Sequence, residues 1–77
     1  MKEFVEYIAK YLVDNPDEVS VEIKSEEERK IVLGLKVGPD DVGKVIGKQG
    51  KTAQAIRTLL TAIAAKEGKR AILDILD

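Results

Sequence analysis

Val45-Ile46-Gly47-Lys48-Gln49-Gly50-Lys51-Thr52 sets two glycines three positions apart between two stretches that read as helix. A helix ending before Gly47 leaves carbonyls without partners, and one starting at Lys51 offers free N–H groups at the positive end of its dipole. Two glycines let the chain turn sharply and let a ligand approach the backbone with no Cβ in the way. Lys48 and Gln49 at the tip can donate hydrogen bonds to phosphate oxygens, and Lys51 adds charge where the helix begins. Such a corner suits a phosphodiester backbone laid across it. The plain alternative is a helix-turn-helix corner whose lysines are merely solvated, and for a bare Gly-x-x-Gly that alternative usually wins. The elements on either side decide between the two.

Upstream, Gly38-Pro39-Asp40-Asp41 starts a short helix through Ile46, with proline in the first turn and carboxylates near the dipole's positive end. Downstream, Ala53, Ile56, Leu60 and Ile63 step along one face of a helix from Lys51 to about Lys66. Ala55, Leu59, Ala62 and Ala64 widen that apolar stripe, and Gly68 caps it. Leu73 and Ile75 alternate with Asp74 in a closing strand. Nearer the N-terminus, Val19, Val21 and Ile23 alternate as one strand, and Ile31, Leu33, Leu35 and Val37 as a second, with Gly34 on its opposite face. Ser25–Arg29 reads as a polar connector rather long for a tight hairpin, and the two strands should pair antiparallel. Residues 2–14 carry Phe4, Val5, Ile8 and Leu12 as a helical stripe stopped by Asn15-Pro16. The order is therefore α-β-β-α-α-β, an α+β two-layer sandwich with a three-stranded mixed sheet. Residues 1–77 form a single domain without repeats or linkers.

The 77 residues carry 13 Lys+Arg and 14 Asp+Glu, a formal net charge of −1 that argues against a strong general polyanion binder. The distribution says more than the total. Residues 1–38 hold 6 basic and 9 acidic side chains, residues 39–77 hold 7 and 5, and the segment 43–57 holds Lys44, Lys48, Lys51 and Arg57 with no carboxylate. With no His and no Cys, imidazole bases, thiolate nucleophiles, disulfides and the usual zinc ligands are absent. No metal site, cofactor or small-molecule substrate is expected, and no residue pair is set for catalysis. No apolar run approaches the ~20 residues needed to cross a bilayer. The start lacks a signal-peptide core, which suggests a cytoplasmic protein.

Gly50-Lys51-Thr52 imitates the end of a phosphate-binding P-loop, but the glycine that should stand five residues before Gly50 is Val45. A helix, not a strand, leads into the loop. The dinucleotide fingerprint fails on the same topology.

The stretch Val45–Ile56 instead resembles the signature of the KH RNA-binding domain, an Ile-Gly-x-x-Gly loop joining two helices. The element order resembles the type II, prokaryotic KH arrangement over the whole chain. That resemblance implies a non-enzymatic binder of single-stranded RNA, whose loop grips the backbone of about four nucleotides while bases turn into a groove beside it. Carried over by position, Gly47, Lys48, Gln49, Gly50 and Lys51 would hold the backbone. Val42, Val45, Ile46, Ala53 and Ile56 would form the helical wall and its supporting core, with Leu33, Leu35 and Val37 on the strand behind it. Ile46, Ile56 and the strand residues read as core before they read as base contacts, and Lys44 and Arg57 are either phosphate contacts or ordinary surface charges.

Phe4, Tyr7 and Tyr11 are the only aromatics, all on the first helix, so base stacking beside the basic segment is not available. Phe4 is expected in the core, and Tyr7 and Tyr11 partly buried. Ala53 stands where many KH signatures carry a larger aliphatic, and Glu26-Glu27-Glu28 would form an acidic loop beside the groove. Binding by one copy is thus expected to be weak and of low specificity, in RNA metabolism or post-transcriptional regulation. A homodimer, or a heterodimer with another KH-domain protein, would strengthen it. A second function stays open: an adaptor whose main task is docking another KH protein.

Overall fold

The computed structural model describes residues 1–76. The chain forms α1 (Lys2–Leu12), β1 (Ser20–Glu27), β2 (Lys30–Lys36), α2 (Val42–Ile46), α3 (Lys51–Lys66) and β3 (Arg70–Leu76), with single 3-10 turns at Pro16–Glu18, Pro39–Asp41 and Lys48–Gly50. This is the α-β-β-α-α-β order read from the sequence. β2 lies at the centre of the three-stranded sheet, antiparallel to β1 and parallel to β3. A parallel pair needs a long crossover connection, and the α2–α3 segment supplies it.

One face of the sheet is dry. Ile31, Leu33 and Leu35 of β2, Val21 of β1 and Leu73 of β3 meet Val5, Ala9, Val45, Ile56 and Leu60 from the helices. The other face carries Glu22, Lys24, Lys30, Lys36, Arg70 and Asp74, all exposed. Helices therefore cover one side only, giving the two-layer sandwich.

Several local expectations are corrected. α1 ends at Leu12, two residues early, because Val13 is already extended (φ −97°, ψ 160°) ahead of Asn15-Pro16. Its buried line is Val5 and Ala9, continued by Val13 beyond the helix, while Leu12 is exposed and Phe4 and Ile8 pack at the edge of the core. Ala9 is small enough to bring the helix close to the sheet, which hydrophobicity alone does not reveal. Likewise α3 buries Ala53, Ile56, Leu60 and Ala64, whereas Leu59 is 53% exposed and Ala55 and Ala62 face solvent. Ile63 is only half-buried.

The supposed connector at 25–29 is mostly strand. β1 runs through Glu27 and turns into β2 over Glu28 and Arg29 alone. Between Ile23, opposite Leu33, and Ser25, opposite Val32, Lys24 is an extra residue with no partner: a β-bulge. The bulge lies beyond the Val19–Ile23 alternation, which holds opposite Leu35 and Leu33, although Ile23 itself is 47% exposed. It also aims Lys24 across the central strand. The ammonium reaches Asp74 on β3 at 3.2 Å, passing over Gly34, where an added Cβ would lie 3.1 Å from Lys24 Cδ.

Candidate nucleic-acid interface

The corner between α2 and α3 is set by backbone geometry that only glycine holds comfortably. Gly47 takes φ 78°, ψ 174°, a region essentially reserved for glycine. A Cβ there would run into Thr52 Oγ1 and sit 2.8 Å from the Thr52 nitrogen. Gly50 is left-handed at φ 74°, ψ 12°, with open space where its Cβ would be. Between them Gln49 is also left-handed (φ 58°), the one non-glycine positive φ among the described residues. The Gly50 N–H closes the turn on the Gly47 carbonyl at 3.1 Å. Lys48 and Gln49 stand exposed at its tip, and Lys51 is exposed at the first position of α3. None of the ion pairs among the described residues engages Lys48 or Lys51.

Beside this corner lies a cleft of about 440 Å³ lined by Ile46, Gly50, Ala53, Arg57, Asp74, Ile75 and Leu76. It runs between the helix pair and β3, the edge strand. Leu33, Leu35 and Val37 of the central strand are sealed in the core, as the core reading of them expects, and so are Val45 and Ile56. Val42 is half-buried against that core. The groove's strand residues are Ile75 and Leu76, which the sequence offers only as a core alternation. What identifies them is the sheet order, in which β3 pairs with β2 on one side only and so has its other side open.

Arg57 spans the cleft from α3 and donates from both Nε (3.2 Å) and Nη2 (3.1 Å) to the carbonyl of Leu73. This fixes a guanidinium inside the groove, engaged by none of the ion pairs among the described residues. Asp74, the acidic member of the lining, is held by Lys24. Lys44 lies elsewhere. On α2 it flanks the buried Val45 on the side opposite Ile46, and its ammonium donates to Asp14 at 2.8 Å. That hydrogen bond, reinforced by the charges of Asp14, Asp41 and Asp40, raises the Lys44 pKa above its ordinary value. The structure thus brings Ile46, Gly47, Lys48, Gln49, Gly50, Lys51 and Arg57 to one corner and groove and separates Lys44 from them.

Beneath α2, Asp41 is buried. Its carboxylate accepts the backbone N–H of Asp14 at 3.3 Å and of Asn15 at 3.0 Å, tying the end of α1 to the start of α2. Sequence reading placed this residue only as a dipole partner and missed the anchor, since a contact across 26 positions leaves no local mark.

Two other expectations fail on position. Glu26 and Glu27 are strand residues paired with Ile31 and Lys30, at the end of the sheet where Arg70 begins β3. The groove opens at the Asp74–Leu76 end, about 13–20 Å away by the rise of a strand. Glu26 is moreover bound by Lys69 at 2.8 Å. Tyr7 and Tyr11 are not partly buried but 60% and 74% exposed, with ring centroids 4.9 Å apart.

Comparison with known proteins agrees with this geometry. The pattern of the KhpA/KhpB KH domain matches residues 2–75. Proteins named RNA-binding protein KhpA are similar along their full length. That of Caldanaerobacter subterraneus subsp. tengcongensis is 57% identical over 76 residues, covering 99% of this chain and all of the relative. That of Clostridium acetobutylicum is 55% identical with the same coverage, and that of Aquifex aeolicus is 53% identical over 77 residues, 100% of this chain and 96% of the relative. No helix among the described residues is long and apolar enough to cross a membrane. On the match across its length and the shared fold, the chain belongs to the KhpA/KhpB family of KH domains.

Proposed function

We propose that this chain binds single-stranded RNA without catalysis, seating the sugar-phosphate backbone on Gly47–Gly50 and turning bases into the cleft beside it. The observation that carries the reading is the pairing of an exposed, acid-free glycine corner with an adjoining cleft that has an apolar wall and one fixed guanidinium. Lys48, Gln49 and Lys51 donate to phosphate. Ile46 and Ala53 form the helical wall, and Ile75 and Leu76 the strand wall. With few charges and no aromatic platform in the cleft, one copy binds weakly, with dissociation constants about micromolar or poorer, and discriminates little between sequences. Its relatives are named as RNA-binding proteins, which supports RNA over other polyanions.

The test is an NMR titration with short single-stranded RNA and DNA. Shifts concentrated at 46–57 and 73–76, abolished by Lys48→Asp with Gln49→Asp in a folded protein, are the expected result. Unchanged affinity in that double variant would overturn the reading. The exposed Tyr7–Tyr11 pair favours a second role in docking a protein partner. For that role alone the shifts would fall on α1 and stay insensitive to the loop substitutions.

A further inference from the structure

Asp74 is the carboxylate in the lining of the cleft, and the group that holds it stands on the opposite margin of the sheet. Leu73 is buried in the core and side chains alternate along a strand, so Asp74 points to the outer face, at the rim of the cleft. An unpaired carboxylate there would repel phosphates seated at the glycine corner and would compete with them for Arg57, the cation of the same lining. None of the described ion pairs joins Asp74 to α2, to α3 or to the corner between them. The cation bound to it comes from β1, across the central strand.

Three features of the chain combine to deliver that cation. Lys24 is the extra residue of the β1 bulge and has no partner on β2. Asp74 pairs with Gly34, and Gly34 with Glu22, so the path from β1 to Asp74 crosses a glycine. The lysine stem lies where a side chain at that position would stand, with Cδ 3.1 Å and Cγ 3.4 Å from an added Cβ. The ammonium then donates to Asp74 Oδ2 at 3.2 Å. Lys24, Gly34 and Asp74 all lie outside the hydrophobic core, which occupies the other face of the sheet.

We infer that Lys24 is a positioning residue for nucleic-acid binding, which touches no nucleotide and acts by holding the Asp74 carboxylate on the outer face, away from Arg57 and the phosphates. This rests on the proposed RNA-binding reading and adds to it a residue from the far strand that it does not use. With the lysine removed, the carboxylate is free to turn to Arg57 and to meet the incoming strand as a bare negative charge.

The experiment is a double-mutant cycle on Lys24 and Asp74, read by fluorescence anisotropy with a short single-stranded RNA at low salt. Lys24→Met is expected to weaken binding about two- to fivefold, the range of one exposed charge pair, and Lys24→Arg to preserve it. Asp74→Asn alone should bind at least as tightly as the unaltered chain, and Lys24→Met should cost nothing further in that background. The Arg57 Nε–H resonance of the free protein should shift in Lys24→Met and stay in place when Asp74→Asn is present as well. An equal loss from Lys24→Met with and without Asp74 would make Lys24 a direct contact and overturn the inference. So would weaker binding by Asp74→Asn alone, or unchanged affinity in a Lys24→Met variant that has lost only thermal stability. Loss of binding in the Lys48→Asp, Gln49→Asp variant with an uncoupled Lys24–Asp74 pair leaves the loop reading intact and removes only this addition. Binding that ignores the loop substitutions brings down the reading beneath it.

Discussion

At Gly47 and Gly50 the same residue type does two different jobs. Gly47 combines a positive φ with an extended ψ and has Thr52 against the place where a Cβ would stand. Gly50 is left-handed with nothing near it. Gly47→Ala is therefore expected to destabilise the fold by about 2–4 kcal/mol, joining backbone strain to a collision with a neighbouring main-chain nitrogen. Gly50→Ala should cost about 1–2 kcal/mol, the ordinary left-handed penalty. Thermal unfolding distinguishes them, each kcal/mol being worth about 4–8 °C in a domain of this size. Asp41 belongs to the same scale. Asp41→Asn replaces one acceptor of two backbone N–H groups with a donor, and a loss of about 1–3 kcal/mol is expected in denaturant unfolding at constant m. The glycines were legible in the sequence because their spacing is local. Asp41 was not, because its partners arrive from the far end of α1.

At the scale of elements, all three helices and all three strands could be read from periodicity, yet which face each one buries could not always be. α3 shows why. Leu59 and Leu60 are equally apolar, and only the sheet beneath tells which is covered. β1 shows another limit: one inserted residue, Lys24, shifts the register of Ser25–Glu27 against β2, and a bulge has no sequence signature as short as itself. The groove's identity had the same character. Leu33, Leu35, Leu73 and Ile75 look alike as a pattern, and only pairing makes β2 central and β3 the edge. A prediction belongs here too. The Lys44–Asp14 pair ties α2 to the end of α1, and because the folded-state lysine pKa is raised, its contribution is fully present below the ordinary value near 10.5. The contribution is lost as pH rises through the raised folded-state value. Lys44→Met should therefore lower stability at neutral pH, with the deficit closing as pH rises through the raised folded-state value, followed by circular dichroism, while leaving RNA affinity nearly unchanged, since Lys44 lies off the groove.

For the whole molecule, a near-neutral total conceals a divided surface. Lys24, Lys44 and Lys69 are each held by a carboxylate, and the basic groups at the glycine corner and its cleft that no described ion pair engages are Lys48, Lys51 and Arg57. About three phosphates neutralised on a single strand gives a slope of log affinity against log salt near −2. A slope steeper than about −4 in a filter-binding series would show that a wider surface takes part. The chain also lacks histidine. Affinity for RNA should accordingly stay within about twofold between pH 6.0 and 7.5, with any larger change contradicting a loop that works through lysine, arginine and backbone N–H.

The clasp of Arg57 on Leu73 has a consequence for how the protein behaves in a crowded solution. An open strand at the border of a sheet is where identical chains ordinarily zip together and seed fibrils. With a guanidinium wedged at mid-length, a neighbour's backbone cannot run uninterrupted along that border, yet a chain of separated flat rings can step past it. On the proposed reading, the margin that would invite self-templated growth is left for a polymer of a different kind, and Arg57→Ala should reveal it as thioflavin-positive material after prolonged storage.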